Sequence, residues 1–171
     1  MTLTDAEIDN LLAPAGLRFL ERVQGEVQLP PLPPGHSPAS AGPEHGRFDS
    51  HEHEVADLDA SDMAEKVNAS WHRMATQYGL FDGNREFLLA VGRARLGKDP
   101  DEEPYTVWLR VRLLDQWDLV GSEADLLRSG FATLFTARFV PEFTAASLDG
   151  RMMMNTTVWG NGTISTIVIR P

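Results

Sequence analysis

The chain has 171 residues, 42% of them apolar and 23% charged, with 15 basic against 25 acidic side chains and a formal net charge of −10. That length suits one domain with a core large enough to fold without staples. The composition excludes a disordered chain, a collagen-like repeat and a helical membrane span, because no run approaches about 18 consecutive apolar residues.

The acidic excess repels phosphate backbones and anionic membranes at long range. No nucleic-acid and no membrane partner is therefore expected, and a basic protein suits the charge better. Cysteine is absent, which removes disulfides, thiolate ligands and cysteine nucleophiles. Met1 to Glu7 carry two acids, no base and no following apolar run, so no secretory leader is read and a cytoplasmic location is expected. Lys66 and Lys98 are the only lysines beside many arginines, alanines and glycines, a usage that suggests a GC-rich bacterial genome.

The first element is a helix. Thr4 and Glu7 form a capping-box pair, Leu3 and Ile8 a hydrophobic staple, and Ile8, Leu11, Leu12 and Ala15 an apolar stripe ended by Pro14 and Gly16. Leu17 to Val23 alternate in part and read as a short strand. Residues 1–28 are thus a helix and a strand. Residues 29–58 follow as a surface loop, first proline-rich from Pro30 to Pro43 and then acidic with histidines. Proline at this density forbids ladders and helix interiors and favours extended polyproline backbone. A docking peptide for an aromatic groove is the functional alternative to a linker.

The main body, 59–171, opens with a helix whose Met63, Val67, Trp71, Met74 and Tyr78 fall on one face. Asp59 or Ser61 is expected to cap it, and Gly79 suits its left-handed end. A hairpin follows, Glu86 to Leu96 and Tyr105 to Leu114. Its simplest closure pairs Leu96 with Tyr105 and sets Arg93 opposite Trp108 and Arg95 opposite Thr106. Leu88, Ala90, Ala94 and Leu96 then join Tyr105, Val107, Leu109, Val111 and Leu113 in the core. A third helix is expected from Glu123 to about Phe135, capped by Ser122. The chain ends in a β-meander, Phe143 to Leu148, Arg151 to Trp159 and Thr163 to Arg170, with turns at Asp149-Gly150 and Gly160-Asn161-Gly162. The fold class is α+β, a single domain with a mostly antiparallel sheet (hairpin plus C-terminal meander) and about three helices on one face.

Three constellations carry candidate chemistry. On the hairpin's outer face, Arg93, Arg95, Arg110 and Arg112 surround Trp108, a local reversal of sign in an acidic chain. Arginine and tryptophan are frequent interface anchors, so these five residues are the candidate partner-binding set. Pairing of the arginines with the protein's own acids is the alternative. Next, His45, His51, His53 and Asp57 offer imidazole and carboxylate ligands suited to zinc, but on a loop without a rigid surround. No cofactor is expected, with zinc the alternative. Asp57-Leu58-Asp59 opens like a calcium loop, yet Asp62 and Asn68 stand where glycine and glutamate belong, and helix entry fits better. Finally, Thr163 to Ile169 is β-rich and uncharged. As a sheet edge it would invite self-pairing and a homodimer.

No nucleophile elbow, phosphate loop, dinucleotide fingerprint or zincin motif occurs. In composition the chain resembles small acidic, cysteine-free bacterial accessory proteins, toxin-neutralising immunity proteins and secretion-linked adaptors among them. The resemblance implies a non-enzymatic protein-binding module. The alternatives are a small-molecule or metal enzyme built on His45, His51 and His53, with His72 and Tyr78 at a pocket mouth, and a structural protein that self-associates through its last strand.

Overall fold

The computed structural model describes residues 2–30, 48–49, 55–99, 101 and 105–170. The chain opens with helix α1 (Asp5–Leu12), which starts where expected. Thr4 Oγ1 accepts from the Glu7 amide at 3.2 Å, and the Thr4 amide donates to Glu7 Oε2 at 2.7 Å. The Thr4 amide, and after it the Thr4 hydroxyl, hold the Glu7 carboxyl below its ordinary range, and the reciprocal pair satisfies two otherwise orphaned donors. Ile8 and Leu12 face inward. A short turn over Ala13–Ala15 ends at Gly16, whose φ of 78° is left-handed. A Cβ there would stand 2.4 Å from the Gln116 carbonyl oxygen, so only glycine lets the chain pass into strand β1 (Leu17–Arg22).

Eight strands form one antiparallel sheet. They are β1, β2 (Phe48–Asp49), β3 (Ala56–Asp57), β4 (Glu86–Gly92), β5 (Thr106–Leu113), β6 (Phe143–Ala146), β7 (Met153–Val158) and β8 (Thr163–Ile169). The order is β1-β5-β4-β6-β7-β8-β2, with β3 also on β8. The meander β6-β7-β8 forms with the expected turns, and Gly150 and Gly162 take positive φ. β8 is not a bare edge: Phe48 and Asp49 pair with Ile169 and Val168, and Ala56 and Asp57 pair with Ile164 and Thr163. The self-pairing expected of an open final strand thus loses most of its ladder.

Helix α2 (Met63–Gln77) buries Met63, Val67, Trp71 and Met74, as its periodicity demands. Its entry differs from expectation. Asp62 holds the cap position and no side chain caps it, so neither Asp59 nor Ser61 does. At the other end Gly79 takes φ 79°. Trp71 sits at the centre of an aromatic cluster, its ring 5.9 Å from Phe81, 5.8 Å from Phe87 and 6.1 Å from both Trp117 and Phe143. Both helices cover one sheet face, where Leu17, Phe87, Leu89, Val91, Leu109, Val111, Leu113, Met154 and Val168 complete the core.

The third helix is absent among the described residues. Glu123 has φ 57°, a left-handed conformation that cannot begin a helix, and the Ser122 hydroxyl caps nothing. Two short 3₁₀ turns replace the helix, Asp125–Leu127 and Phe131–Leu134. The proline-rich run over 31–47 lies outside the described residues. No helix among the described residues is long and apolar enough to cross a membrane.

Candidate binding surface

The hairpin sets the surface, and its register differs from the simplest closure. β4 stops at Gly92, which pairs with Thr106, and Arg93–Leu96 winds into a 3₁₀ turn closed by Gly97 at φ 75°. The Arg93 amide donates to the Tyr105 carbonyl at 2.7 Å, sealing the turn. Ala90 therefore stands opposite Trp108 where Arg93 was expected. A displacement of three residues is odd, so the faces of β4 exchange. Phe87, Leu89 and Val91 enter the core, Leu88 and Ala90 join the outer face, and Tyr105 is 59% exposed.

The five candidate partner-binding residues consequently separate into three groups. Arg110 and Arg112 converge on Glu86, a carboxylate only 4% exposed. Arg110 Nε donates to Glu86 Oε1 at 2.7 Å, and Arg112 Nη2 donates to Oε2 at 3.0 Å. Glu21 adds a looser approach to Arg110 at 3.7 Å. The Glu86 carboxyl is held below its ordinary range, first by the Arg112 hydrogen bond and then by Arg110, against burial and the charge of Asp82. These two arginines thus pair with the protein's own acid.

Arg95 is a clip. Its Nη1 donates to the Asp125 carbonyl at 2.8 Å and its Nη2 to the Arg128 carbonyl at 2.5 Å. It fastens the Arg93–Leu96 turn to the segment that leads into Phe131–Leu134. Charged donors on main-chain carbonyls are among the stronger hydrogen bonds.

Arg93 and Trp108 both line a cleft of about 220 Å³ that sequence spacing did not indicate. Arg22 enters it from the end of β1, and Lys98 from just beyond the turn. β1 lies against β5 with Arg22 opposite Leu109, which brings the first of these cations to the hairpin. Arg22 is fixed by Asp5 Oδ1 at 3.1 Å and by the Leu3 carbonyl at 2.5 Å. Among the described residues lining the cleft there is no carboxylate.

Beyond the Arg95 clip lies an apolar patch. Phe131, Leu134 and Phe135 are 41%, 76% and 39% exposed, and the two phenyl rings meet edge to face at 5.3 Å. Ala132 is the buried residue of this turn, and its amide donates to Ser129 Oγ at 3.1 Å. The expected apolar stripe is thus divided: Leu126 and Leu127 point into the core, and the aromatic pair with Leu134 points out. The chain leaves helical geometry at Arg128 (φ −66°, ψ 134°), and Gly130 two residues on was the nearest available signal for a break.

Of the candidate metal ligands, His45, His51 and His53 lie outside the described residues. Asp57 is exposed on β3, opposite Thr163. No group of three or more histidines and acids among the described residues could hold a metal ion. His72, read as flanking a pocket mouth with Tyr78, packs against an aromatic ring. It stacks on Trp117 with ring centres 4.7 Å apart, and burial, aided by the charge of Arg85, holds its pKa below the ordinary value. The Tyr78 ring lies under the Arg170 guanidinium at 4.8 Å. Comparison of the chain with protein-family models, with curated proteins and with solved structures finds no match.

Proposed function

We propose that this protein is a non-enzymatic protein-binding module that docks a partner on the rim running from the Arg93/Trp108 cleft, across the Arg95 clip, to the Phe131/Leu134/Phe135 patch. The observation that carries the reading is the exposure of three large apolar side chains on one short turn. Such a cluster costs hydration when bare and gains when covered, at roughly 25 cal/mol per Å² of apolar area buried. Edge-to-face phenyl rings also present a firm surface with little rotamer entropy to lose.

The charges divide the work. The net charge of −10 draws a basic partner in from a distance. At contact, the cationic cleft beside the patch suits a carboxylate next to apolar side chains on that partner. A small acidic binder of this kind fits the part of a bacterial immunity protein or a secretion-linked adaptor working in the cytoplasm.

The test is affinity capture from host extract at moderate salt, with wild type beside F131S/L134S/F135S. A discrete protein held by wild type and lost from the triple variant, whose far-UV circular dichroism stays unchanged, is the expected result. Equal capture by both would overturn the assignment of the patch. Mass measurement of the free protein separates the competing occupant, a second copy of the chain, which would appear as a dimer abolished by the same substitutions.

A further inference from the structure

Asn161 is the only asparagine of the chain that precedes a glycine. It stands exposed in the turn between β7 and β8, and its Oδ1 accepts a 2.6 Å hydrogen bond from the Thr163 hydroxyl. That bond lays the carboxamide forward along the Gly162 peptide and draws electron density from its carbonyl carbon. Gly162 has no side chain to shield its amide, and a Cβ built there would meet nothing within 4 Å. The other asparagines are placed differently. Asn68 donates to Asp118 Oδ1 at 2.7 Å and accepts the Leu119 amide, and Asn155 is 6% exposed and bonded to Thr144 and Thr157. Asn10 and Asn84 precede Leu11 and Arg85, whose side chains crowd the next amide.

We propose that Asn161 is a site of spontaneous covalent modification, at which the Gly162 amide nitrogen closes on Asn161 Cγ to form a succinimide. The N–Cγ bond forms, the Cγ–Nδ2 bond breaks, and Nδ2 leaves as ammonia with the proton of the Gly162 amide. One water from solvent then opens the ring. Attack at the side-chain carbonyl gives aspartate, and attack at the main-chain carbonyl gives isoaspartate. No electrons are exchanged with any other group. The Gly162 amide donates to the Trp159 carbonyl at 3.1 Å, so the turn must open locally before the nitrogen can attack. The product alters a junction of the fold. The Gly162 carbonyl accepts the Leu58 amide at 3.0 Å, and Asp57 and Ala56 pair with Thr163 and Ile164. Isoaspartate lengthens the main chain just before that carbonyl, moves it off the Leu58 amide and loosens β3 from β8.

This inference does not rest on the protein-binding reading. The experiment holds the full-length protein at physiological temperature in mildly acidic and mildly alkaline buffer and follows each asparagine by peptide mapping with mass spectrometry. Asn161 should convert ahead of every other asparagine, to a mixture of aspartate and isoaspartate, and faster in the alkaline buffer, where the Gly162 amide loses its proton more readily. N161Q, whose longer side chain has to close a larger ring, should stay intact over the same period. T163V keeps a β-branched residue in β8 and removes the hydroxyl, and it should slow the conversion about fivefold, the factor that one ordinary hydrogen bond is worth. T163S, which keeps the hydroxyl, should convert as wild type does. In the isoaspartyl fraction the Leu58 amide should exchange about fivefold or more faster, having lost its bond to Gly162. Conversion of another asparagine as fast as Asn161, or an Asn161 that outlasts the rest, would overturn the inference. An unslowed T163V with native circular dichroism would overturn the part given to Thr163.

Discussion

Arg112 faces Glu86 directly across the β4–β5 ladder, and its Nη2 donates a 3.0 Å hydrogen bond to Glu86 Oε2. A buried carboxylate that loses its cationic partners is costly, so this pair ties the register of the hairpin to its electrostatics. The register expected from sequence would have placed Leu89 opposite Arg112 and left Glu86 without that neighbour. The observed register satisfies both the acid and the core.

A pH dependence follows. The Glu86 carboxyl is held below its ordinary value of 4.5, chiefly by Arg112. A group whose folded pKa is depressed stabilises the fold above its unfolded value, and that contribution is lost as pH falls through the folded value. Thermal midpoints should therefore drop as pH descends from about 4.5. In E86Q the midpoint at pH 7 should be lower and this part of the acid slope shallower. Parallel curves for the two proteins would show that the pair does not contribute.

The His72 imidazole titrates in the opposite chemical sense with the same consequence. Burial and Arg85 favour its neutral form, so its pKa lies below 6.5 in the folded chain. The unfolded chain takes up the proton first, and stability declines as pH falls below 6.5 until the folded value is passed. The His72 ring resonances should titrate with a midpoint below 6.5, and R85Q should raise that midpoint by relieving the repulsion. A midpoint at or above 6.5 would contradict the stacked, half-buried placement on Trp117.

Much of this fold was legible because its signals are local. Thr4 and Glu7 lie three residues apart, and the stripe from Met63 to Met74 repeats at the helical period, so each element could be read from a short window. Asp149-Gly150 marks its turn just as directly. The register of β4 against β5 was not legible. It depends on the chain winding over Arg93–Leu96, which strand alternation does not reveal, and Leu96 is buried by that turn and not by a strand. The stripe from Leu126 to Phe135 misled because the left-handed Glu123 and the extended Arg128, bridged to Pro141, outweigh helical periodicity. The cleft was not legible either: the expected Arg93–Trp108 pairing across the ladder does not form, and Arg93, Trp108 and Arg22 line one cleft only through the turn at Arg93–Leu96 and the β1–β5 pairing, which no short-range pattern encodes.

Trp71 is the largest test of the core. It is 1% exposed and touches four other aromatic rings. Trp71→Ala should cost about 3–5 kcal/mol in urea unfolding. A loss below about 1 kcal/mol would mean that the cluster is not packed as described.

Gly16 tests the passage from α1 to β1. An alanine would meet the left-handed φ penalty and a 2.4 Å approach to the Gln116 carbonyl at once. Gly16→Ala should destabilise by more than about 1 kcal/mol, measured by denaturant midpoint. A neutral effect would place the Trp117 segment elsewhere.

Arg95→Ala should release the Asp125 and Arg128 carbonyls. Amide exchange from Leu127 to Ala132 is then expected to rise by about tenfold, since the clip's hydrogen bonds each contribute about 1 kcal/mol. Unchanged protection there would separate the Arg93–Leu96 turn from the patch and divide the proposed docking rim.

The docking claim itself is tested most directly by installing a photo-cross-linking phenylalanine analogue at Leu134 and irradiating the protein in its native host. The control position is Asp115, fully exposed and beyond the other end of β5 from the cleft. The account predicts one discrete heteromeric adduct from position 134 and none from position 115. No adduct at 134, or the same adducts from both positions, would contradict it.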